Sequence, residues 1–261
     1  MQATVPSLQI FGRTTQDQGS FDAGRIREYK VIGMPQDRTQ RKRVGPLFYW
    51  SWAKGDPHSV IALHPHQGFE IFSYVLAGTL IHRDTLGTHR PVEAGGLQLM
   101  QTGSGVSHEE VMGAEGTEFF QIWLEPHLRQ AIAQPPTYAD FTEADFLVQT
   151  EPGIRCKQVL GESSPVKLQV PATMVDVEID PGAQLTYPLA ANRAIAALMV
   201  KGNGTWSQQQ LSQKAQRGDL VSAQNPTPEP GEMVYVSDGN GSRIVLVDVP
   251  LAVNYPLYPE F

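Results

Sequence analysis

Leu76-Ala77-Gly78-Thr79-Leu80, followed by Ala94-Gly95-Gly96-Leu97, reads as strand, glycine turn, strand, glycine turn, strand. The plan recurs as Met199-Val200-Lys201-Gly202-Asn203-Gly204, followed by Arg217-Gly218-Asp219-Leu220. The offset between the copies is about 123 residues, a period of domain size rather than of a solenoid. Two stacked antiparallel β-barrels produce such a repeat, so the chain is predicted to be all-β, with domains at 1–140 and 150–261. The segment 135–152, where Pro, Thr, Asp and Glu cluster, is the predicted boundary.

Working outward, strand-like runs rich in Val, Ile, Leu, Phe and Tyr fall at 59–63, 70–76, 79–83, 97–101 and 118–124 in the first half. In the second half they fall at 170–179, 194–200, 204–209, 219–223 and 242–249. Helical periodicity is weak; short helices are expected only at 128–133, ended by Pro135-Pro136, and at 142–146. The 24 Gly and 20 Pro are spread along the chain as turns, not gathered into a linker.

The 261 residues are 41 % hydrophobic and 18 % charged, enough to build packed cores. Lys+Arg 20 against Asp+Glu 27 gives a net charge of −7, which argues against a nucleic-acid or anionic-membrane binder. The longest apolar run, 194–200, is too short to span a bilayer. The first 20 residues lack a signal-peptide pattern, and the one cysteine, Cys156, cannot form an internal disulfide. A cytoplasmic location is therefore expected. The basic stretch 38–43 reads as a solvated β-hairpin edge.

His64-Pro65-His66 carries the sharpest chemistry. On a strand, residues i and i+2 point the same way, so the two imidazoles converge. His108 and Glu110, after the Gly103-Ser104-Gly105-Val106-Ser107 loop, have the same spacing. Facing pairs across a small barrel would bring three imidazoles and one carboxylate together, a metal-ligand set without thiolate. His82 reads as an outward-facing, solvated histidine, and His58, His89 and His127 as surface residues. Phe48, Tyr49, Trp50 and Trp52 are expected to pack on the barrel, with one or more at its mouth.

His64-Pro65-His66-Gln67-Gly68-Phe69-Glu70, Tyr74-Val75-Leu76-Ala77-Gly78, His82-Arg83-Asp84-Thr85-Leu86-Gly87 and Thr102-Gly103-Ser104-Gly105-Val106-Ser107-His108-Glu109-Glu110 together resemble the pirin family of the cupin superfamily. The likeness runs from about residue 62 to 125 and is nearest to bacterial quercetin 2,3-dioxygenase-like pirins. It implies a bicupin of jelly-roll type with one metal in the N-terminal barrel, held by His64, His66, His108 and Glu110. Cupins in general take their carboxylate from a Glu soon after the HxH pair, which leaves Glu70 as an alternative to Glu110; Glu109 ranks last. The implied cofactor is one divalent ion, Fe(II) first, with Mn, Co, Ni, Cu or Zn as other candidates.

The implied reaction is ring-opening of a flavonol such as quercetin with O2, with Glu110 as ligand and general base. The alternative is a non-enzymatic, metal- and redox-responsive regulator that binds a protein partner. No histidine follows His127, and Tyr187-Pro188-Leu189 stands where the second barrel would need its HxH pair. The second barrel is accordingly expected to lack a metal site.

Overall fold

In the computed structural model, which describes residues 7–258, alternating apolar residues become the facing walls of a core. Strand Arg193–Lys201 turns Ile195, Ala197 and Met199 inward, and Ser242–Pro250 turns Ile244 and Leu246 the same way. These belong to a seven-stranded antiparallel sheet. Facing it, a four-stranded sheet of Gln184–Leu189, Gly231–Ser237, Asn203–Gln208 and Leu211–Gln216 contributes Leu185, Met233, Tyr235 and Trp206. Trp206 and Tyr235 are fully buried with ring centroids 5.1 Å apart. Apolar side chains thus fill the interior of this second barrel.

The chain is all-β and divides into two units that interleave in sequence. The second barrel comprises residues 7–15, 44–46 and 146–254; the first comprises 16–43, 47–145 and 255–258. Strand Ser7–Phe11 pairs with Leu220–Asn225 at the edge of the second barrel's large sheet. Within the first barrel, the Tyr255 hydroxyl donates to the Glu125 carbonyl (2.8 Å), and Tyr258 packs on Phe48 and Phe69.

The first barrel is one nine-stranded sheet built around two long strands, Glu70–Asp84 and Val106–Leu124. They pair along most of their length, with register shifts between Val75 and Ala77 and between Gly78 and Leu80. Such bulges bend a ribbon and let a single sheet close on itself. Gly78 therefore sits within a continuous strand, where a turn was expected between 70–76 and 79–83. It has φ +74°, and a Cβ there would run into the carbonyl of Gly116 across the pair.

The repeat extends to individual hydrogen bonds. Gly95 N–H donates to Val75 O (2.8 Å) while Val75 N–H donates to Gly96 O (3.0 Å). In the second barrel Gly218 N–H donates to Met199 O (2.8 Å) and Met199 N–H to Asp219 O (3.0 Å). Gly202, the counterpart of Gly78, has φ +77°. The expected short helices are one turn each, Leu128–Ala131 and the 3-10 turn Glu143–Asp145; further 3-10 turns lie at Arg13–Thr15 and Asp22–Gly24. No helix among the described residues is long and apolar enough to cross a membrane. The stretch 38–43 lies in a loop, not a hairpin, held by acceptors both near and far in sequence: Lys42 reaches the carbonyls of Met34 and Asp37, and Arg43 pairs with Glu125 (3.0 Å).

Candidate metal centre

Strand Val60–His66 pairs with Val106–Leu124 alone among the described residues, so it is an edge and can carry Pro65 at no cost in ladder bonds. A register shift between Ile61 and His64 sets His64 directly across from His108. His66, two residues on, keeps the same face. The ring centroids lie 4.7 Å (His64–His66), 4.4 Å (His64–His108) and 5.1 Å (His66–His108) apart. One ring nitrogen from each falls within 4.8 Å of the others.

The chemistry of these nitrogens fits a metal ion. His64 Nδ1 is 2.8 Å from the Ala62 carbonyl, which can only accept, so Nδ1 carries the proton and Nε2 is left with its lone pair. His66 Nε2 and both ring nitrogens of His108 are buried without a hydrogen-bond partner, a costly state for polar atoms. Burial, then the neighbouring His64, lowers the His66 pKa to about 4. Burial, followed by His64, His66 and His82, lowers that of His108 to about 2. Near neutral pH both therefore offer lone pairs to a cation. The three histidines can hold a divalent metal.

Glu110 is fully buried on the same strand as His108 but is not part of that close group. Its Oε1 accepts from Ser73 Oγ and Gln98 Nε2, both at 3.0 Å, and its Oε2 accepts from Gln121 Nε2 at 2.8 Å. Burial pushes its pKa up to about 7, against the opposing pull of the Ser73 and Gln121 bonds. Glu70, also fully buried, stands at odd spacing from Ser73 on Glu70–Asp84, and its Oε1 accepts from Gln101 Nε2 (2.9 Å). Glu109 is turned to the outer surface, where Arg83 binds it at 2.9 Å.

His82 corrects the expectation of a solvated histidine. It is fully buried, its Nε2 is 2.9 Å from Asp84 Oδ2, and its ring stacks on Tyr138 at 4.3 Å. Its centroid is 5.4 Å from that of His108, so it backs the metal-binding group. His58 and His89 are exposed, as expected, whereas His127 is partly buried against Tyr255.

A cavity of about 550 Å³ opens onto the histidines, within the size range of small-molecule sites. His64, His66, Gln121 and Trp123 form one part of its lining, and Trp123 stands 5.0 Å edge-on to His66. Of the aromatic run at 48–52, Tyr49 lines this cavity. So do Glu28 and Lys30, residues that had no signature in the sequence because their role depends on which strands become neighbours.

The family model Pirin matches residues 50–124, the segment that carries all three histidines. Pirin-like protein 2 of Arabidopsis thaliana is 28 % identical over 79 % of this chain; the chain spans 61 % of that protein's length and about half of two other Arabidopsis relatives. Among solved structures, bacterial pirin YhhW of Escherichia coli in complex with nickel(II) aligns with TM-score 0.76 at 21 % identity, covering 94 % of this chain and 99 % of its own. Quercetin 2,3-dioxygenase from Acinetobacter baumannii aligns with TM-score 0.76 at 19 % identity, covering 93 % and 79 %. The segment that carries the histidines thus matches the Pirin family model, and the fold is shared with these solved structures along nearly the whole chain.

Proposed function

We propose that this protein is a pirin-like, metal-dependent dioxygenase that opens the central ring of flavonols such as quercetin with O2 and releases carbon monoxide. The observation that carries this reading is the cavity of about 550 Å³ with His64 and His66 in its wall. The likeness in fold to a quercetin 2,3-dioxygenase agrees with it. In this reading His64, His66, His108 and Glu110 hold one divalent ion, with Fe(II) the first candidate. Bound there, the ion would supply Lewis acidity toward the flavonol 3-hydroxyl and bring dioxygen to it.

The residues of the chain divide the remaining work. Trp123 and Phe119 offer apolar surface for a planar ring. Gln121, in the cavity wall, donates to Glu110 and accepts from Trp123 Nε1 (3.1 Å), which ties the carboxylate to the ligand face. Glu110 takes the proton of the 3-hydroxyl, and Ser73 and Gln98 steady its other oxygen.

Oxygen uptake with quercetin tests this, using protein stripped of metal and reloaded with Fe, Mn, Co, Ni or Cu, and His66→Ala as the blank. Stoichiometric uptake that needs both metal and His66 is expected. No uptake with any metal, from protein that binds one, would overturn the activity in favour of a regulatory protein that binds a protein partner.

A further inference from the structure

The cavity has a second polar wall, carried by strands Ile26–Ile32 and Leu47–Gly55, the latter paired with the His108 strand Val106–Leu124. Glu28 and Lys30, at i and i+2 on Ile26–Ile32, face the cavity together with Tyr49 and Ser51 of the neighbouring strand Leu47–Gly55. Glu28 is 5 % exposed, and its Oε2 accepts from the Tyr49 hydroxyl at 2.9 Å. Lys30 Nζ is 3.9 Å from Glu28 Oε1 but 2.6 Å from Asp37 Oδ1, so its bond is made to Asp37. Glu28 and Asp37 thus flank one ammonium, whose hydrogen bond goes to Asp37. Burying such charges costs free energy that apolar side chains of similar volume would save, so the set is an expensive way merely to close a barrel.

We propose that Glu28, with Lys30 and Tyr49, forms a recognition subsite that selects aromatic substrates bearing a free hydroxyl remote from the metal and turns away those bearing a carboxylate there. The proposal rests on the dioxygenase reading for what happens at the metal, and deepens it by assigning the other end of the substrate. A ring hydroxyl can donate to Glu28 Oε1, a charge-assisted bond of the stronger kind. An incoming carboxylate would meet the Glu28 carboxyl group, with the Lys30 ammonium already committed to Asp37. A site built around a hydroxyl discriminates sharply against analogues that lack it, because its own polar groups are then left buried and unpaired.

Binding and turnover are measured separately. Metal-loaded protein is titrated under argon with quercetin, with galangin (which lacks hydroxyls on the pendant ring) and with 3-hydroxyflavone-4′-carboxylate, following the quenching of tryptophan fluorescence. Wild-type protein is expected to bind quercetin at least about tenfold more tightly than galangin and to bind the carboxylate most weakly. In the isosteric Glu28→Gln the quercetin preference should shrink to about twofold and carboxylate binding should improve, with metal content unchanged; Tyr49→Phe should lose part of the preference. Equal affinities in wild type, or a preference undiminished in Glu28→Gln, would overturn the subsite. A Glu28-dependent preference without oxygen consumption would uphold the subsite while refuting the dioxygenase activity.

Discussion

His64 and His108 stand directly opposite each other on antiparallel strands, their ring centroids 4.4 Å apart. They belong to segments 44 residues apart in sequence, so the metal-binding group forms only when Val60–His66 is docked on Val106–Leu124 in the shifted register. His108→Ala should lower the affinity for a divalent ion by more than roughly 10–100-fold, the loss that follows from disturbing even an outer partner of a ligand. Metal analysis after dialysis against a weak chelator checks this; retention at the wild-type level would remove His108 from the centre.

Glu110 depends on three neutral donors for its place in the interior. Gln121→Leu removes the bond to Oε2 and also leaves Trp123 Nε1 without its acceptor. Metal-free protein should lose about 1–3 kcal/mol, the usual cost of stranding a buried polar group. Urea unfolding of chelator-treated protein measures it.

Three groups at the site contribute in opposite senses to the acid behaviour of the metal-free protein. His66 and His108, at about 4 and about 2 in the folded chain, ordinarily titrate near 6.5. Glu110, at about 7 in the folded chain, ordinarily titrates near 4.5. Between pH 4.5 and 6.5 the unfolded chain thus gains a proton on each histidine, while the folded chain keeps one on Glu110. The unfolded state binds more protons, so these groups make stability rise with pH across this window and fall as pH drops through it. The Glu110 contribution has the opposite sign: it is full below pH 4.5 and lost as pH rises to 7. Glu110→Gln should therefore steepen the rise of unfolding free energy with pH in the window by one proton's worth, about 1.4 kcal/mol per pH unit. An unchanged slope would mean that folded Glu110 is not protonated there.

Gly78 and Gly87 separate backbone conformation from steric clash. Both have positive φ, +74° and +91°, but a Cβ at Gly87 meets nothing within 4 Å, whereas at Gly78 it strikes the Gly116 carbonyl. Gly87→Ala should cost about 1–2 kcal/mol, the price of a left-handed residue. Gly78→Ala should cost about 3 kcal/mol or more, since the paired strand must also shift. Thermal unfolding of the two variants side by side reads the difference.

Much of this was legible in the chain. His64, His66 and His108 announce themselves because strand alternation alone puts each on a predictable face, and the repeat of Gly78 and Gly95 as Gly202 and Gly218 reflects shared backbone hydrogen bonds. Other features are hidden for a physical reason. The depth of His82 depends on Tyr138, which arrives from Thr137–Phe141 by pairing with Leu97–Gln101, an event of tertiary structure. Glu28 and Lys30 lie on a strand with no apolar run, and they meet Tyr49 through a pairing whose register shifts between Lys30 and Ile32. Strand Leu147–Glu151 is exposed throughout and so lacks the buried face that marks a strand in sequence.

Strand Ser7–Phe11 completes the edge of the sheet formed mainly by residues 146–254, while residues 255–258 return to the other unit. The two halves are thus not separable beads on a string. A protease nick within 142–146 should leave each fragment holding a piece that the other needs, so the nicked protein should stay together until denatured. A recombinant second half cut at that point would expose the open edge of Leu220–Asn225, an invitation to strand exchange between molecules. Split-gene expression of 1–145 with 146–261, by contrast, supplies every strand and should reconstitute both units.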